Sequence, residues 1–224
     1  MITVSKDAIK YRDSNGQMQN ADIMCQVSAL NDQWIDYAQA YNFRSSVLPE
    51  NSHISIKPKV ALNTNMSSWF REVRNLKTLM IDYDFSDKTY TTNFLFSGSI
   101  NLEIVDFKNK VVLLSGNCTN TFNNCENLTE IKAILNLSEV TSVNTMFNLC
   151  KKLKEVRFNE GSVKISISFA SSNLLSAESI QSIIDGLADL TGVTAQTLTF
   201  HTDVKNKLTQ EQLTTITNKN WTLA

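Results

Sequence analysis

Phe122-Asn-Asn-Cys125-Glu-Asn-Leu128-Thr-Glu-Ile131-Lys-Ala133 and, starting 25 residues later, Phe147-Asn-Leu-Cys150-Lys-Lys-Leu153-Lys-Glu-Val156-Arg-Phe158 are two renderings of one phrase. Upstream, Leu76-Lys-Thr-Leu79-Met-Ile81 and Leu102-Glu-Ile-Val105-Asp-Phe107 carry the same LxxLxL ending, so four copies have their leading Leu at 76, 102, 128 and 153. Six residues before each leading Leu stands Phe70, Phe96, Phe122 or Phe147, and immediately before it Asn75, Asn101, Asn127 or Lys152. Columns that stay in phase over four copies mark an internal repeat of 25 or 26 residues.

The period dictates a geometry. In the last four residues of each LxxLxL unit apolar and polar side chains alternate, as a short strand with one buried face requires. The Phe then lies on the turn leading into that strand, and stacked copies form a parallel sheet backed by ladders of Leu, aliphatic and Phe side chains. One copy cannot bury its own apolar face, so stability accumulates between neighbours. Apolar return segments follow at 59–62, 111–114 and 135–140, with Met66, Cys118 and Val143 four residues before the Phe. The corresponding stretch at 86–92 is polar, which marks that copy as the least regular.

Both ends read as caps. Ser176 is placed as the N-cap of a helix carrying Ile180, Ile183, Ile184 and Leu187 on one face, with Leu175 as its staple and Gly192 as the residue that stops it. Leu198-Thr-Phe200 predicts a strand, Thr209 and Gln212 a capping box, and Trp221-Thr-Leu223 a last edge strand. At the other end, residues 9–18 alternate around Asn15-Gly16, the signal of a two-residue type I′ hairpin. Val27, Leu30, Trp34, Ala38 and Tyr41 follow at helical spacing, and Ile54 and Ile56 predict a short strand. The aromatic group Trp34, Tyr37, Tyr41 and Phe43 fits the interior of a cap, or alternatively a platform for stacking sugar rings.

Composition removes several functions. Of 224 residues, 21 are Lys or Arg and 22 Asp or Glu, and a net charge of -1 offers nothing to a phosphate backbone. No apolar run is long enough to span a bilayer, and the opening Met-Ile-Thr-Val-Ser-Lys has no basic stretch before an apolar core. The expectation is cytoplasmic synthesis without a signal peptide, with neither membrane insertion nor nucleic-acid binding. Cys25, Cys118, Cys125 and Cys150 form no CxxC pair, and His53 and His201 lie far apart, so no metal, cofactor or catalytic residue is expected. Cys125 and Cys150 share a column about 4.8 Å apart, within disulfide range, although thiols stacked in a parallel ladder fit better as buried apolar groups.

Together these features predict an α/β leucine-rich-repeat solenoid with short parallel strands, a C-terminal helical cap region and an N-terminal β-hairpin. Residues 1–52 form the hairpin and cap region and 53–224 the repeats with their C-terminal cap. Asn144-Thr-Met146-Phe147-Asn-Leu-Cys150-Lys-Lys-Leu153-Lys-Glu-Val156 resembles the MFxxCxxLxxV core of BspA-type repeats, a bacterial surface family, and Thr121-Phe122-Asn-Asn-Cys125-Glu-Asn-Leu128 is similar to the same unit. Val73 and Ser99 stand where the family has Cys. The ending from Leu175 resembles the cap of short repeat proteins in prophages of gut bacteria, and Ile9-Lys-Tyr-Arg-Asp-Ser-Asn-Gly-Gln is similar to the opening of phage tail-associated proteins. The resemblance implies a binding or structural role on a particle or cell surface. The implied partners are a protein or cell-surface glycan, or other tail subunits. The protein would then be virion-associated or extracellular after lysis, or, in the alternative, an adhesin on the cell surface.

The outward strand positions supply the candidate face. They align as three rows: Thr78, Ile104, Glu130 and Glu155; Met80, Asp106, Lys132 and Arg157; Asp82, Lys108, Ile134 and Asn159. Mixed charge suits a solvated sheet with cross-strand pairs, while Met80, Ile104 and Ile134, if exposed, point to a contacted surface.

Overall fold

The computed structural model describes residues 48, 50–56, 62–86 and 88–224, together with the backbone of strands β1 (Lys10–Arg12), β2 (Met18–Asn20) and β3 (Trp34–Tyr37). The fold is α/β, with parallel sheets and few helices. β1 and β2 pair antiparallel as expected, but Arg12 faces Met18. A two-residue Asn15-Gly16 loop would set Arg12 against Gln19, so the register departs by one from the type I′ reading.

The main sheet is six strands in the order β3-β4-β5-β6-β7-β8, all parallel and in chain order. β4 is Ser52–Ile56, β5 Leu76–Ile81, β6 Ile104–Asn117, β7 Glu130–Ser142 and β8 Glu155–Phe158. The LxxLxL endings therefore become strands, and in β6 and β7 the apolar return segments continue them. β3 corrects the helix expected around Trp34. The run Trp-Ile-Asp-Tyr fits a pleated surface, and β4 supplies backbone partners that helical spacing does not foretell. Val27, Leu30, Ala38, Tyr41, Phe43, Cys25 and the return segment at 59–61 lie outside the described residues. The sheet runs across the 52/53 division drawn from sequence.

Behind the sheet the phenylalanines form one column. Ring centroids are 5.6 Å apart for Phe70 and Phe96, 5.3 Å for Phe96 and Phe122, and 5.6 Å for Phe122 and Phe147, with planes within 17° of parallel. Phe169 and Phe200 extend it at 4.8 and 6.0 Å. The turns carrying these rings share a backbone pattern. Two residues before and two after each of the four repeat phenylalanines, the chain is left-handed: Ser68 and Glu72, Phe94 and Gly98, Asn120 and Asn124, Thr145 and Leu149. That twist aims alternate N–H groups at the next copy. Phe70 donates to Leu95 O, Phe96 to Thr121 O and Phe122 to Met146 O, at 2.8, 2.8 and 3.0 Å. The left-handed residues on both sides donate in step, for example Asn120 to Asn144 O and Asn124 to Asn148 O.

The column three residues after the Phe explains why Cys and Ser interchange. Ser99 Oγ donates to Phe70 O at 2.6 Å, Cys125 Sγ to Phe96 O at 3.2 Å and Cys150 Sγ to Phe122 O at 3.1 Å. Either side chain satisfies a buried carbonyl of the preceding copy.

The copy at 82–92 is irregular, as its polarity predicts. β5 stops at Ile81, and Tyr90 and Thr91 touch their neighbours only as single bridges to Leu114 and Asn65. Its interior is filled by Phe85, fully buried and edge-on to Tyr83, Tyr90 and Phe107 at 5.2–5.3 Å.

Helix α1 (Ala177–Gly186) closes the end of the main sheet. Ser176 Oγ accepts the Ser179 N–H as expected, and the outer edge of β8 donates Val156 N–H to Ser179 Oγ and Phe158 N–H to Ser182 Oγ, each at 3.0 Å. α1 ends earlier than predicted. Leu187, not Gly192, is its C-cap, because Leu187 bridges to Val163. Gly186 allows that close approach, since a Cβ there would meet Phe158 Cβ at 2.6 Å. A second sheet, β11-β10-β9, follows from β9 (Ile167–Phe169), β10 (Gln196–Phe200) and β11 (Trp221–Leu223), all parallel. Between β10 and β11 come α2 (Thr202–Lys205), capped by His201, and α3 (Gln210–Asn218), opened by the Thr209 and Gln212 capping box. Lys219 Nζ donates to the carbonyls of Ile184, Asp185 and Leu187 at 2.8–3.1 Å, tying the tail to the end of α1.

Phe96→Ala removes a ring packed on both faces. The expected loss is about 3–5 kcal/mol, seen as a fall in Tm of roughly 6–20 °C by calorimetry. A shift of less than about 3 °C would contradict the role given to the column.

Candidate binding faces

The strand face brings together part of the predicted constellation. The first row forms: Thr78, Ile104, Glu130 and Glu155 are in register across β5 to β8. In the second, Met80, Asp106 and Lys132 align, but Arg157 lies opposite Ile134 because the β7–β8 register shifts after Glu130. The third row does not form. Lys108 and Asn109 are both left-handed, with φ of 57° and 54°, and Asp106 Oδ1 accepts the Lys108 N–H at 2.6 Å. This corner lets β6 change direction, so Val111 rather than Lys108 pairs with Ile134. Asp82 and Asn159 lie one residue past the ends of β5 and β8 and donate their N–H groups to Ile56 O and Leu135 O.

Burial corrects the face further. Thr78 is only 8% exposed and offers little to a partner. Met80, Ile104 and Ile134, read as exposed, are half-buried, as are Asp106, Glu130, Lys132, Glu155 and Asn159. Asp82, Lys108 and Arg157 are exposed. Glu155 is engaged internally, its Oε2 accepting from Ser176 Oγ and Ser179 Oγ at 3.1 and 3.2 Å. The ion pairs also differ from those expected between Asp106 and its lysine neighbours. Lys132 lies 3.6 Å from Glu130, Lys110 3.5 Å from Asp82 and Lys77 3.4 Å from Glu103. All are solvated pairs of small stabilising effect.

Among the described residues, Cys118, Cys125, Cys150 and His201 have structural roles. Cys118, Cys125 and Cys150 are free, buried thiols. Burial pushes all three above the usual thiol range, Cys150 to about 12, and the neighbouring Cys150 raises Cys125 further. A neutral thiol is a hydrogen-bond donor and a poor nucleophile. His201 Nδ1 accepts the Asp203 N–H at 3.2 Å as the cap of α2. Among the described residues no group of three or more His, Cys, Asp or Glu could hold a metal ion, and no helix is long and apolar enough to cross a membrane.

Open depressions lie on the surface of the described residues. One, of about 580 Å³, lies between β8 and α1 beside Glu160, Glu178, Gln181 and Asp185. Another, of about 570 Å³, lies over the irregular copy and is lined by Thr64, Asn65, Lys88, Thr89, Thr91 and Ser115, with Leu113. Sequence reasoning placed none of these residues in a site; the polar stretch at 86–92 marked only an irregular copy. The packed core holds a void of only about 10 Å³, among Met66, Phe96, Phe107, Leu114 and Phe122. That is no more than one water occupies.

No protein-family model, curated protein or solved structure matches the chain.

Alkylation with iodoacetamide at about pH 8 is expected to leave Cys125 and Cys150 unmodified in the folded protein and to label both once guanidinium unfolds it. Peptide mass spectrometry reads the sites. Labelling of either thiol under native conditions at the rate of a free cysteine would contradict their burial.

Proposed function

We propose that the chain is a BspA-type leucine-rich-repeat solenoid acting as a non-enzymatic binding or structural module, carried as a phage or prophage tail-associated or host-surface-recognition protein. The observation that carries the reading is the face of the parallel sheet. It is extended, mixes both signs of charge, and keeps Met80, Ile104 and Ile134 partly accessible between charged neighbours. Such a surface suits a broad protein or glycan contact, whereas catalysis needs convergent groups in a closed cleft. The 25- or 26-residue period, the internal phenylalanine column and the turn-to-turn hydrogen bonds support the solenoid. A bacterial surface adhesin is the second reading, favoured by the Met146-Phe147-Asn-Leu-Cys150 phrase itself.

The test is retention of the labelled, purified protein on intact candidate host bacteria. Lys132→Glu with Arg157→Glu reverses two positive positions of the face, and Lys151→Glu, on an exposed turn lysine paired with Glu126, serves as the control. With Tm values within a few degrees of each other, the double variant is expected to bind at least about tenfold more weakly, a loss of roughly 1.4 kcal/mol. Equal retention of all three proteins rejects the strand face as the contact.

A further inference from the structure

Outside the strand row, the depression over the irregular copy has a composition that the packing of the chain does not require. We infer that it is a binding site for an acidic glycan. The inference rests on the binding-module reading but not on the strand face.

The recess exists because β5 stops at Ile81 and lacks the continuation that β6 and β7 carry through their return segments. After Ile81 the chain detours through Tyr83 and Phe85, and it rejoins its neighbours by β-bridges at Tyr90 and Thr91. Tyr90 N–H donates to Leu113 O and Ser115 N–H to Tyr90 O, while Thr91 N–H donates to Thr64 O and its carbonyl accepts from Met66 N–H. These bonds fix the floor. Alternation then sorts the side chains: Tyr90 and Leu114 are buried, and Thr89, Thr91, Leu113 and Ser115 take the outward positions, each half-buried.

The lining is a set of donors with one positive charge. Thr64 and Thr89 contribute hydroxyls. Asn65 Oδ1 already accepts the Ser67 N–H at 3.0 Å, so its carboxamide has its NH₂ to offer. Among the described residues, Lys88 is exposed and in no ion pair, and none of those lining the recess carries a carboxylate. Leu113 is the one large apolar side chain among the described lining residues. The recess is open to solvent, with a volume of about 570 Å³. Hydroxyl-rich ligands match the Thr, Ser and Asn groups, and a ligand carboxylate matches the ammonium through a charge-assisted hydrogen bond. A nucleic acid fits less well, since one lysine on a chain of net charge -1 gives little purchase on a polyphosphate.

The test uses the full chain and D-glucuronate as the probe, with D-glucose as the neutral control. Backbone amide shifts are followed by NMR. The expected result is saturable binding with shifts confined to residues 64, 65, 88, 89, 91, 113 and 115, at least about tenfold weaker for glucose and for Lys88→Ala. The variant carrying Lys132→Glu and Arg157→Glu is expected to bind glucuronate as the wild type does, so loss of the strand-face reading leaves this result standing. The site is overturned by no shift with glucuronate, by shifts centred elsewhere, or by unchanged affinity in Lys88→Ala.

Discussion

Each phenylalanine ring in the column rests on the ring of the copy before it, and this contact sets the height at which every turn must return. Centroid spacings of 5.3–5.6 Å along the four repeat rings approach the separation of neighbouring strands. Side-chain stacking and backbone pairing can therefore share one register. The left-handed residues on either side of each ring are what reconcile the two, because they turn alternate N–H groups toward the adjacent copy. Only Gly98 and two asparagines among them favour that conformation. Ser68, Glu72, Phe94, Thr145 and Leu149 hold it at a cost of order 1 kcal/mol each, which burial of the rings offsets.

Large parts of this arrangement were legible in the residues. The columns of Leu, Phe and Cys or Ser repeat because each meets its counterpart, and Ser176, Thr209 and Gln212 announce helix starts through local hydrogen bonds. What escaped notice depended on backbone geometry that side-chain chemistry does not advertise. Lys108 and Asn109 make a corner without glycine, and the β7–β8 shift moves Arg157 from Lys132 to Ile134. Both errors misplace members of the candidate face while leaving its core intact, since the buried side of each strand is set by apolar alternation. The early end of α1 arose from a long-range bridge between Leu187 and Val163, and the strand at Trp34 from pairing with β4. Neither is encoded within its own segment.

Regularity and irregularity have different consequences for recognition. β6 and β7 run side by side over most of their length, with register shifts at the corner of Lys108 and Asn109 and again after Leu113 and Gly116, and their outward side chains stay in rows between those shifts. Where Phe85 and Tyr90 replace a strand with an aromatic plug, the interior stays closed but the exterior loses a row of backbone, and a hollow remains. The same substitution of packing for pairing keeps the core closed and shapes the polar recess over this copy.

The serines of α1 take up the outward N–H groups of β8, and Lys219 anchors the far end of that helix. The last strand of the sheet thus has no free donors at those positions with which to recruit another. A duplication of the 25- or 26-residue unit at the gene's 3′ side would meet an occupied edge. A unit inserted upstream of β8 would instead find a phenylalanine ring below it and another above.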